Sequence, residues 1–364
     1  MSRLNEKQKR VGHWLSEKKA KKLNISLLSE RLKREKIKLV PIDLSQPVEL
    51  QGPFDVIIHK ITDLMVAADG GDEEASASVD RIETFTAAHP EIPIIDPLSS
   101  VQTLLDRSIC YQMMDDMKFK FRDTEVCSPP HVTLTEPMDI SRKLKKAGVN
   151  FPCVCKPLVA HGTRLAHQMA IVFDESGLES MKFPCVVQQF INHNAVLYKI
   201  FVVGKLHFLV HRPSIKNLAA LDGTTTIFFD SHDVSKPSAS SHLNEVNRGM
   251  NAQPVPPDNR VIAAIAQRVR TKMTLSLLGI DLIVETSTRK HYIIDLNSFP
   301  GYEGVPNFLD ALGDMIVDRL NGSSNVAEQT SIPPAGQHQK LQRPARPGNV
   351  ASGKLTGIGG EASD

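Results

Sequence analysis

Apolar and polar positions alternate in blocks that change rhythm along the chain. Val11-Gly12-His13-Trp14-Leu15 reads as a first strand, a helical pattern follows from about Lys21 to Arg34, and Lys38–Ile42 reads as a second strand. Asp55–His59 is a short continuous apolar run, as expected of a parallel strand buried on both faces. A helix around Ser76–Ala88 and a strand at Ile92–Ile95 complete an alternating β/α unit that closes at Asp96-Pro97.

Beyond that point the rhythm changes. Ser99–Met117 reads as one helix. Strands are expected near His131–Leu134, Phe151–Lys156, Gln168–Phe173 and Pro184–Phe190, with a helix at Ile140–Lys146, which together suggest an α+β unit. Leu197–Val203 and Leu206–Arg212 form a hairpin turning at Gly204-Lys205. Asp222–Pro257 is rich in Ser, Thr, Asn and Pro and reads as a long mobile loop or lid, with one short apolar run at Ile227–Phe229. Val261–Leu278 and Asn307–Leu320 read as helices, and Ser323–Asp364 has the composition of a disordered tail.

The most informative stretch is Gly279 to Asn297, two β-rich runs around the polar turn Thr286-Ser287-Thr288-Arg289-Lys290. If Glu285 pairs with His291, Asp281 falls opposite Asp295, and Asn297 shares the face of Asp295. Two facing carboxylates repel, and a divalent cation relieves them; hard oxygen ligands without thiolate or imidazole suit magnesium, which commonly carries substrate phosphates. A one-residue slip would dissolve the arrangement and leave a solvated hairpin with scattered acids.

The chain has 364 residues, 41% apolar and 23% charged, enough for two or three domains with cores of their own. No apolar run approaches a membrane span, and Met1-Ser2-Arg3-Leu4-Asn5-Glu6 has no apolar signal core, so neither a membrane anchor nor a secretory signal is expected. The cysteines, Cys110, Cys127, Cys153, Cys155 and Cys185, are odd in number and sparse, which fits reduced thiols in the cytosol or nucleus. Cys153 and Cys155 share a strand face and lack a second ligand pair, so core packing is the expectation rather than metal. Net charge is +2, yet residues 1–38 carry 13 Lys and Arg against 4 Glu, a surplus of nine, so the remainder is −7. That basic end suits a polyanion, either nucleic acid or a small phosphorylated ligand, or it is a solvated helix face.

Lys156 ends an apolar run and is followed by the turn His161-Gly162-Thr163, a position suited to a nucleotide phosphate but also to a lysine that only reaches for solvent. The strand Val186–Phe190 then runs into Ile191-Asn192-His193-Asn194, whose backbone could pair with an adenine edge. A phosphate lysine, a glycine turn, an adenine linker and an Asp…Asp-x-Asn hairpin, in that order, resemble the ATP-grasp architecture, in which two α+β subdomains clasp ATP behind an N-terminal α/β domain.

Longer motifs narrow the resemblance. They are Leu15-Ser-Glu-Lys-Lys19, Asp55-Val-Ile-Ile-His-Lys60, Leu105-Asp-Arg107-Ser, Ala160-His-Gly162-Thr, His167-Gln-Met169, Ile191-Asn-His-Asn-Ala-Val-Leu-Tyr-Lys199, Arg212-Pro-Ser214 and Asp295-Leu-Asn297-Ser-Phe-Pro-Gly301-Tyr-Glu-Gly. Over roughly residues 10 to 320 the chain resembles the inositol 1,3,4-trisphosphate 5/6-kinase (inositol-tetrakisphosphate 1-kinase) family; the tail has no counterpart. The resemblance implies domains at 1–98, 99–190 and 191–322, ahead of the tail at 323–364. It implies that Arg107 and Lys156 bind ATP phosphates near Gly162, and that Gln188, Gln189 and Ile191 through Lys199 wall the adenine and ribose. Ser214, Ser231 and Ser235 match nucleotide contacts, the last two on the lid. Asp281, Asp295 and Asn297 match ligands of magnesium, with two ions expected. Lys19, Lys60, His167, Lys199, Arg212, Asn297 and Gly301 match or neighbour an inositol phosphate cup, and Lys199, His167 and Lys156 are the expected catalytic groups. One departure is Ala166, where family members often carry serine before the histidine; Pro157 and Leu158 after the lysine are a variant seen among relatives.

A polyanionic ring needs cations converging from several segments, and charge-assisted contacts to phosphate are the strong kind. Taken alone, Lys19 would be a solvated lysine and His167 a structural histidine; within the motif both turn toward substrate. The expectation is an ATP-dependent inositol polyphosphate kinase acting on small-molecule acceptors, a monomer without nucleic-acid or membrane partners, with reverse transfer giving apparent isomerase activity. The competing readings are an ATP-grasp carboxylate–amine ligase and a non-enzymatic inositol phosphate binding module.

Overall fold

In the computed structural model residues 8–160, 164–218, 225–239, 241–245, 254 and 256–322 are described. The expected tail, parts of the expected lid and the turn containing Gly162 lie outside them. The chain begins with β1 (Lys9–Trp14), then α1 (Glu17–Leu23), α2 (Ile25–Lys33) and β2 (Ile37–Pro41). The single helix expected from Lys21 to Arg34 is thus two. Asn24, at φ 53°, occupies the left-handed region that asparagine tolerates better than most residues, and it breaks the run. Strand β3 (Val56–His59), helices α3 (Thr62–Asp69) and α4 (Glu73–Ala88) and strand β4 (Ile94–Ile95) complete the first layer.

These strands form a parallel sheet in the order β2-β1-β3-β4. The chain moves outward from β1 to β2, then returns across β1 to β3, so the winding reverses between β1 and β3. Ligand crevices form outside the carboxyl ends of strands at such a reversal. The segment leading to Lys19 leaves β1 there, and Lys60 follows β3 directly.

The helix expected at Ser99–Met117 is also two, α5 (Leu98–Thr103) and α6 (Arg107–Asp116). Asp106 caps the second, its carboxylate accepting from Ser108 N at 2.7 Å, a cap worth about 1 kcal/mol. A short hairpin, β5 (Phe119–Phe121) and β6 (Thr124–Cys127), leads to β7 (His131–Leu134), α7 (Ile140–Ala147), β8 (Cys153–Pro157), β9 (Gln168–Val172), α8 (Glu175–Glu179) and β10 (Cys185–Gln189). Cys153, Cys155 and Cys185 are free thiols buried under α7 and α8, as the packing expectation required.

Strands β11 (Val196–Val203) and β12 (Leu206–Pro213) form the expected hairpin. Within the presumed mobile loop the structure instead has a strand, β13 (Ile227–Asp230), and a short helix, α9 (Ser231–Ser235). β13 adds to the edge of an antiparallel sheet ordered β13-β9-β8-β10-β7. Helix α10 (Asn259–Met273) stops five residues earlier than expected, at Thr274 with φ 55°, and the apolar Leu277-Leu278 belongs to β14 (Leu277–Val284). With β15 (His291–Ser298) it joins a six-stranded sheet ordered β12-β11-β14-β15-β6-β5; α11 (Phe308–Gly322) follows. The three sheets belong to one compact unit, and Ile57, Val186 and Ile280, one from each, share one buried core.

Candidate active site

The sheet register assembles the centre of the site. Lys199 on β11 pairs with Asp281 on β14, which pairs with Asp295 on β15, so a cation and two carboxylates stand side by side across three strands. The next row on the same face is Phe201, Gly279 and Asn297. Gly279 leaves a gap there: a Cβ would come 3.1 Å from Pro300 Cγ and 3.7 Å from Lys199 Cε. Lys199 Nζ lies 3.0 Å from Asp281 Oδ1 and donates to Oδ2 at 3.3 Å. Burial raises the Asp281 carboxyl pKa, Lys199 pulls it down and Asp295 pushes it up again.

The turn end of this hairpin departs from the expected register. Val284, not Glu285, pairs with His291, and a β-bulge between Asp281 and Leu282 skips Ile294 and restores Asp281 opposite Asp295. The assumed starting pair was therefore wrong by one residue, and the bulge cancels the error where the carboxylates sit. The unpaired residue is put to use. Ile294 O accepts from Lys156 Nζ at 3.0 Å and from Tyr111 OH at 2.8 Å, and Lys156 Nζ also donates to Tyr111 OH at 2.6 Å. Lys156 is 5% exposed, and burial brings its ammonium down to about 8 against the pull of Asp295 and Asp281.

Tyr111, fully buried on α6, was not singled out from the sequence, where it is one aromatic in a helix. Its removal as a hydroxyl, Tyr111→Phe, keeps the ring and frees the lysine. Losses of about 10-fold in kcat/KM are expected, the scale of a group that orients a ligand contact. Unchanged kinetics would assign the hydroxyl to packing alone.

Two apolar walls flank this polar centre. One comes from the antiparallel sheet and the lid: Val154, Met169, Phe190, Ile215, Phe229 and Val234. The other has Ile191, Leu197 and Ile283. Together they line a cleft of about 190 Å³, suited to a flat heteroaromatic ring. His193, expected only as part of the wall from Ile191 to Lys199 and not for its ring, fixes one of its polar groups. With Nδ1–H donating to Ile191 O at 2.6 Å, Nε2 accepts from Ser214 OH at 2.7 Å. Burial lowers the imidazole to about 4, so it stays neutral.

Arg107, Lys156, His167, Gln188, Gln189, Ile191, Lys199, Ser214, Ser231, Ser235, Asp281, Asp295 and Asn297 all line this cleft. Arg107 is 2% exposed, and its guanidinium donates to Pro157 O at 2.6 Å, Val159 O at 3.1 Å and Ala166 O at 3.2 Å, which ties the segments on either side of the Gly162 turn. Gln189 is turned partly away, its side-chain oxygen accepting from Asn150 N at 3.3 Å.

Lys19, Lys60, Arg212 and Gly301 are not in that cleft; they gather on Ser298–Glu303, the segment that continues β15. Lys19 Nζ donates to Phe299 O at 2.8 Å and Pro300 O at 2.7 Å, and stands 4.0 Å over the Phe299 ring. Lys60 Nζ donates to Ser298 O at 2.6 Å. Arg212 donates to Glu303 O, and the Glu303 carboxylate pairs with Lys22 beside Gly301. Burial, with Lys60 and Lys22 nearby, lowers Lys19 to about 6, and burial brings Lys60 to about 8. These cations are held by carbonyls, so their charge is poorly offset.

The residues fit a divalent cation. Asp281 Oδ1 is buried without a hydrogen bond despite its proximity to Lys199, and a second carboxylate and an amide oxygen share its face. Among the described residues no group of three or more His, Cys, Asp or Glu forms a cage.

A D-alanine–D-alanine ligase from Bacillus anthracis matches 87% of this chain and 99% of its own, with TM-score 0.52 at 16% identity. A RiPP-associated ATP-grasp ligase from Chryseobacterium gregarium matches 86% and 97%, with TM-score 0.53 at 14% identity. At such identity the likeness is one of fold, and with the buried lysine, apolar slot and carboxylate hairpin it defines an ATP-grasp protein. Sequence goes further. Residues 10–101 match the inositol 1,3,4-trisphosphate 5/6-kinase pre-ATP-grasp domain and 120–318 the ATP-grasp domain of the same name. The inositol-tetrakisphosphate 1-kinase of Danio rerio is 47% identical over 321 residues, 87% of this chain and 80% of that one; that of Xenopus laevis is 45% identical over 334, 91% and 84%. The chain belongs to the inositol 1,3,4-trisphosphate 5/6-kinase family.

Proposed function

We propose that this kinase transfers the γ-phosphoryl group of ATP to a ring hydroxyl of an inositol polyphosphate. The acceptors are inositol 1,3,4-trisphosphate, at the 5- or 6-position, and the 3,4,5,6-tetrakisphosphate, at the 1-position, with reverse transfer to ADP from higher phosphates. One observation carries the reading: the strand that bears Asp295 and Asn297 runs on into a segment gripped by Lys19, Lys60 and Arg212, so a cationic cup adjoins the carboxylate row. A carboxylate–amine ligase activates an acceptor bearing a single carboxylate, which does not call for several converging cations as a polyphosphate does.

Adenine occupies the slot between the apolar walls, with Gln188 to Lys199 along it and Ser214, Ser231 and Ser235 at its polar edge. Asp281, Asp295 and Asn297 would hold magnesium, two ions in this reading, which would supply positive charge to offset the nucleotide phosphates. Transfer of this kind has a loose transition state, so positioning and charge do the catalysis. Lys156, fixed by Tyr111 and the bulge carbonyl, and Arg107 offset charge on the nucleotide phosphates. Lys199 stands on the acceptor side of the same row. His167, whose basicity is lowered by burial and by His232, is neutral near pH 7 and orients the acceptor hydroxyl. The place of Lys19 in this cup also accounts for part of the basic N-terminal charge without nucleic acid.

The test is incubation of the full chain with ATP, magnesium and inositol 1,3,4-trisphosphate, followed by anion-exchange separation. Tetrakisphosphates carrying the new group at position 5 or 6 are expected; no transfer by protein that still binds ATP would return the ligase reading.

A pH consequence follows for the cup. The unfolded lysine has a pKa near 10.5 and Lys19 in the fold about 6, so between those values the unfolded chain binds more protons and the ligand-free protein gains stability as pH rises. A bound polyanion reverses the bias. Acceptor binding at pH 7.5 is expected to take up about one proton, read from calorimetry in buffers of different ionisation enthalpy, and almost none at pH 5. Lys19→Met should remove the uptake and weaken acceptor binding about 10-fold. Equal uptake in the variant would place the titrating group elsewhere.

A further inference from the structure

The lid helix α9 brings one more imidazole to the cleft. His232 stacks on His167, ring centroids 3.8 Å apart and planes tilted by 33°, and both rings line the cleft with Lys199 and Asn297. The contact spans the fold: His167 immediately precedes β9 in the antiparallel sheet, whereas His232 is on the helix that follows β13. Ser231, next in the chain, approaches His167 Nδ1 with its hydroxyl at 3.4 Å. That contact engages Nδ1 and leaves Nε2 to face an acceptor. His232 also lies within the electrostatic reach of Lys18 and Lys22 on α1, beside the cup.

We infer that His232 is a specificity-determining residue that, paired with His167, takes a non-reacting phosphate of the acceptor as the lid lies over it. The inference rests on the kinase reading above. Its physical basis is charge. Burial opposes protonation of His232, as do Lys236, Lys18 and Lys22; Asp230, whose carboxylate is 3.8 Å from Nδ1, favours it, and His167 faces the ring by stacking. With burial and three cations against it the ring remains neutral until a polyanion arrives, and a phosphate then supplies the missing negative charge. An imidazolium–phosphate contact is a charge-assisted hydrogen bond. It would form only with an acceptor bearing a phosphate at that point of the ring, so His232 discriminates among acceptors without touching the nucleotide. Stacking on His167 holds the ring at the right height, a geometric part that any flat side chain could play.

Three variants separate charge from stacking: His232→Ala, His232→Phe and His232→Lys. The ring is exposed on a five-residue helix, so none should disturb the core. KM for ATP, KM for inositol 1,3,4-trisphosphate and kcat are measured for each. The expected result is an acceptor KM raised about 10-fold in the alanine and phenylalanine variants, restored within about 3-fold by lysine, with the ATP KM unchanged throughout. Rescue by phenylalanine but not lysine would reduce His232 to a support for the His167 ring and overturn the inference, as would wild-type acceptor KM in all three. Wild-type protein that transfers no phosphate would instead fail the kinase reading. Calorimetric binding of inositol 1,3,4-trisphosphate to the same four proteins then decides on His232: equal affinities overturn it, and the pattern of loss and rescue supports it.

Discussion

Asp295→Ala is expected to lower turnover by about 10³-fold or more and to leave the fold intact. Asp295 stands directly across from Asp281, and the two carboxylates oppose each other while Lys199 reaches only the second. In the absence of a cation, deleting Asp295 relieves its repulsion of Asp281 but also removes the carboxylate that most favours the buried Lys156 ammonium. The two effects oppose, so the variant's melting temperature in chelator should stay close to that of the wild type. What it should lose is the gain on adding magnesium and ATP, because a ligand that no longer binds the native state no longer stabilises it. Activity and thermal shift thus move separately. A folded variant with near wild-type kcat would remove Asp295 from the metal site.

Lys199→Ala should cost about 10² to 10³ in kcat/KM, with kcat and acceptor binding affected together. The side chain pairs with Asp281 and, above Gly279, comes close to Pro300 of the cup segment, so in the kinase reading its charge serves the transferring group and the acceptor alike. Its loss also leaves Asp281, at 14% side-chain exposure, beside Asp295 without its nearest cation. The melting temperature should therefore fall in chelator and recover with magnesium, unlike that of the Asp295 variant. An unchanged kcat/KM would take Lys199 out of the reaction.

The parts of this site that were legible in the sequence are those fixed by strand periodicity. Asp281, Asp295 and Asn297 follow from a two-residue repeat across a hairpin, whereas Lys199 came only from the family motif that ends on it. The bulge at Ile294 was not legible, since it is a property of pairing and not of the letters; the register came out correctly at the carboxylates because the bulge compensated for a misplaced turn pair. The lid was misread for a related reason. Ile227-Phe228-Phe229 is too short to announce a strand, and it becomes one only because β9 offers an open edge. The two overlong helices each hid a break. Asp106 was a visible cap signal inside an otherwise helical run, whereas nothing in the composition around Asn24 demanded its left-handed turn. Tyr111 and the ring of His193 were invisible as functional groups because their partners, Lys156 and Ser214, are 45 and 21 residues away.

The run from Asp295 to Gly301 has one more consequence. It holds the side chains of Asp295 and Asn297 at one end and the carbonyls gripped by Lys60 and Lys19 at the other. In the kinase reading, donor and acceptor are therefore spaced along a single tether of seven residues, not by the docking of two separately moving parts. Breathing of the antiparallel sheet would change how the nucleotide is covered but not how far the metal stands from the acceptor. New acceptors could be gained by exchanging side chains around α1 and the end of β3, while the tether keeps the reacting distance constant.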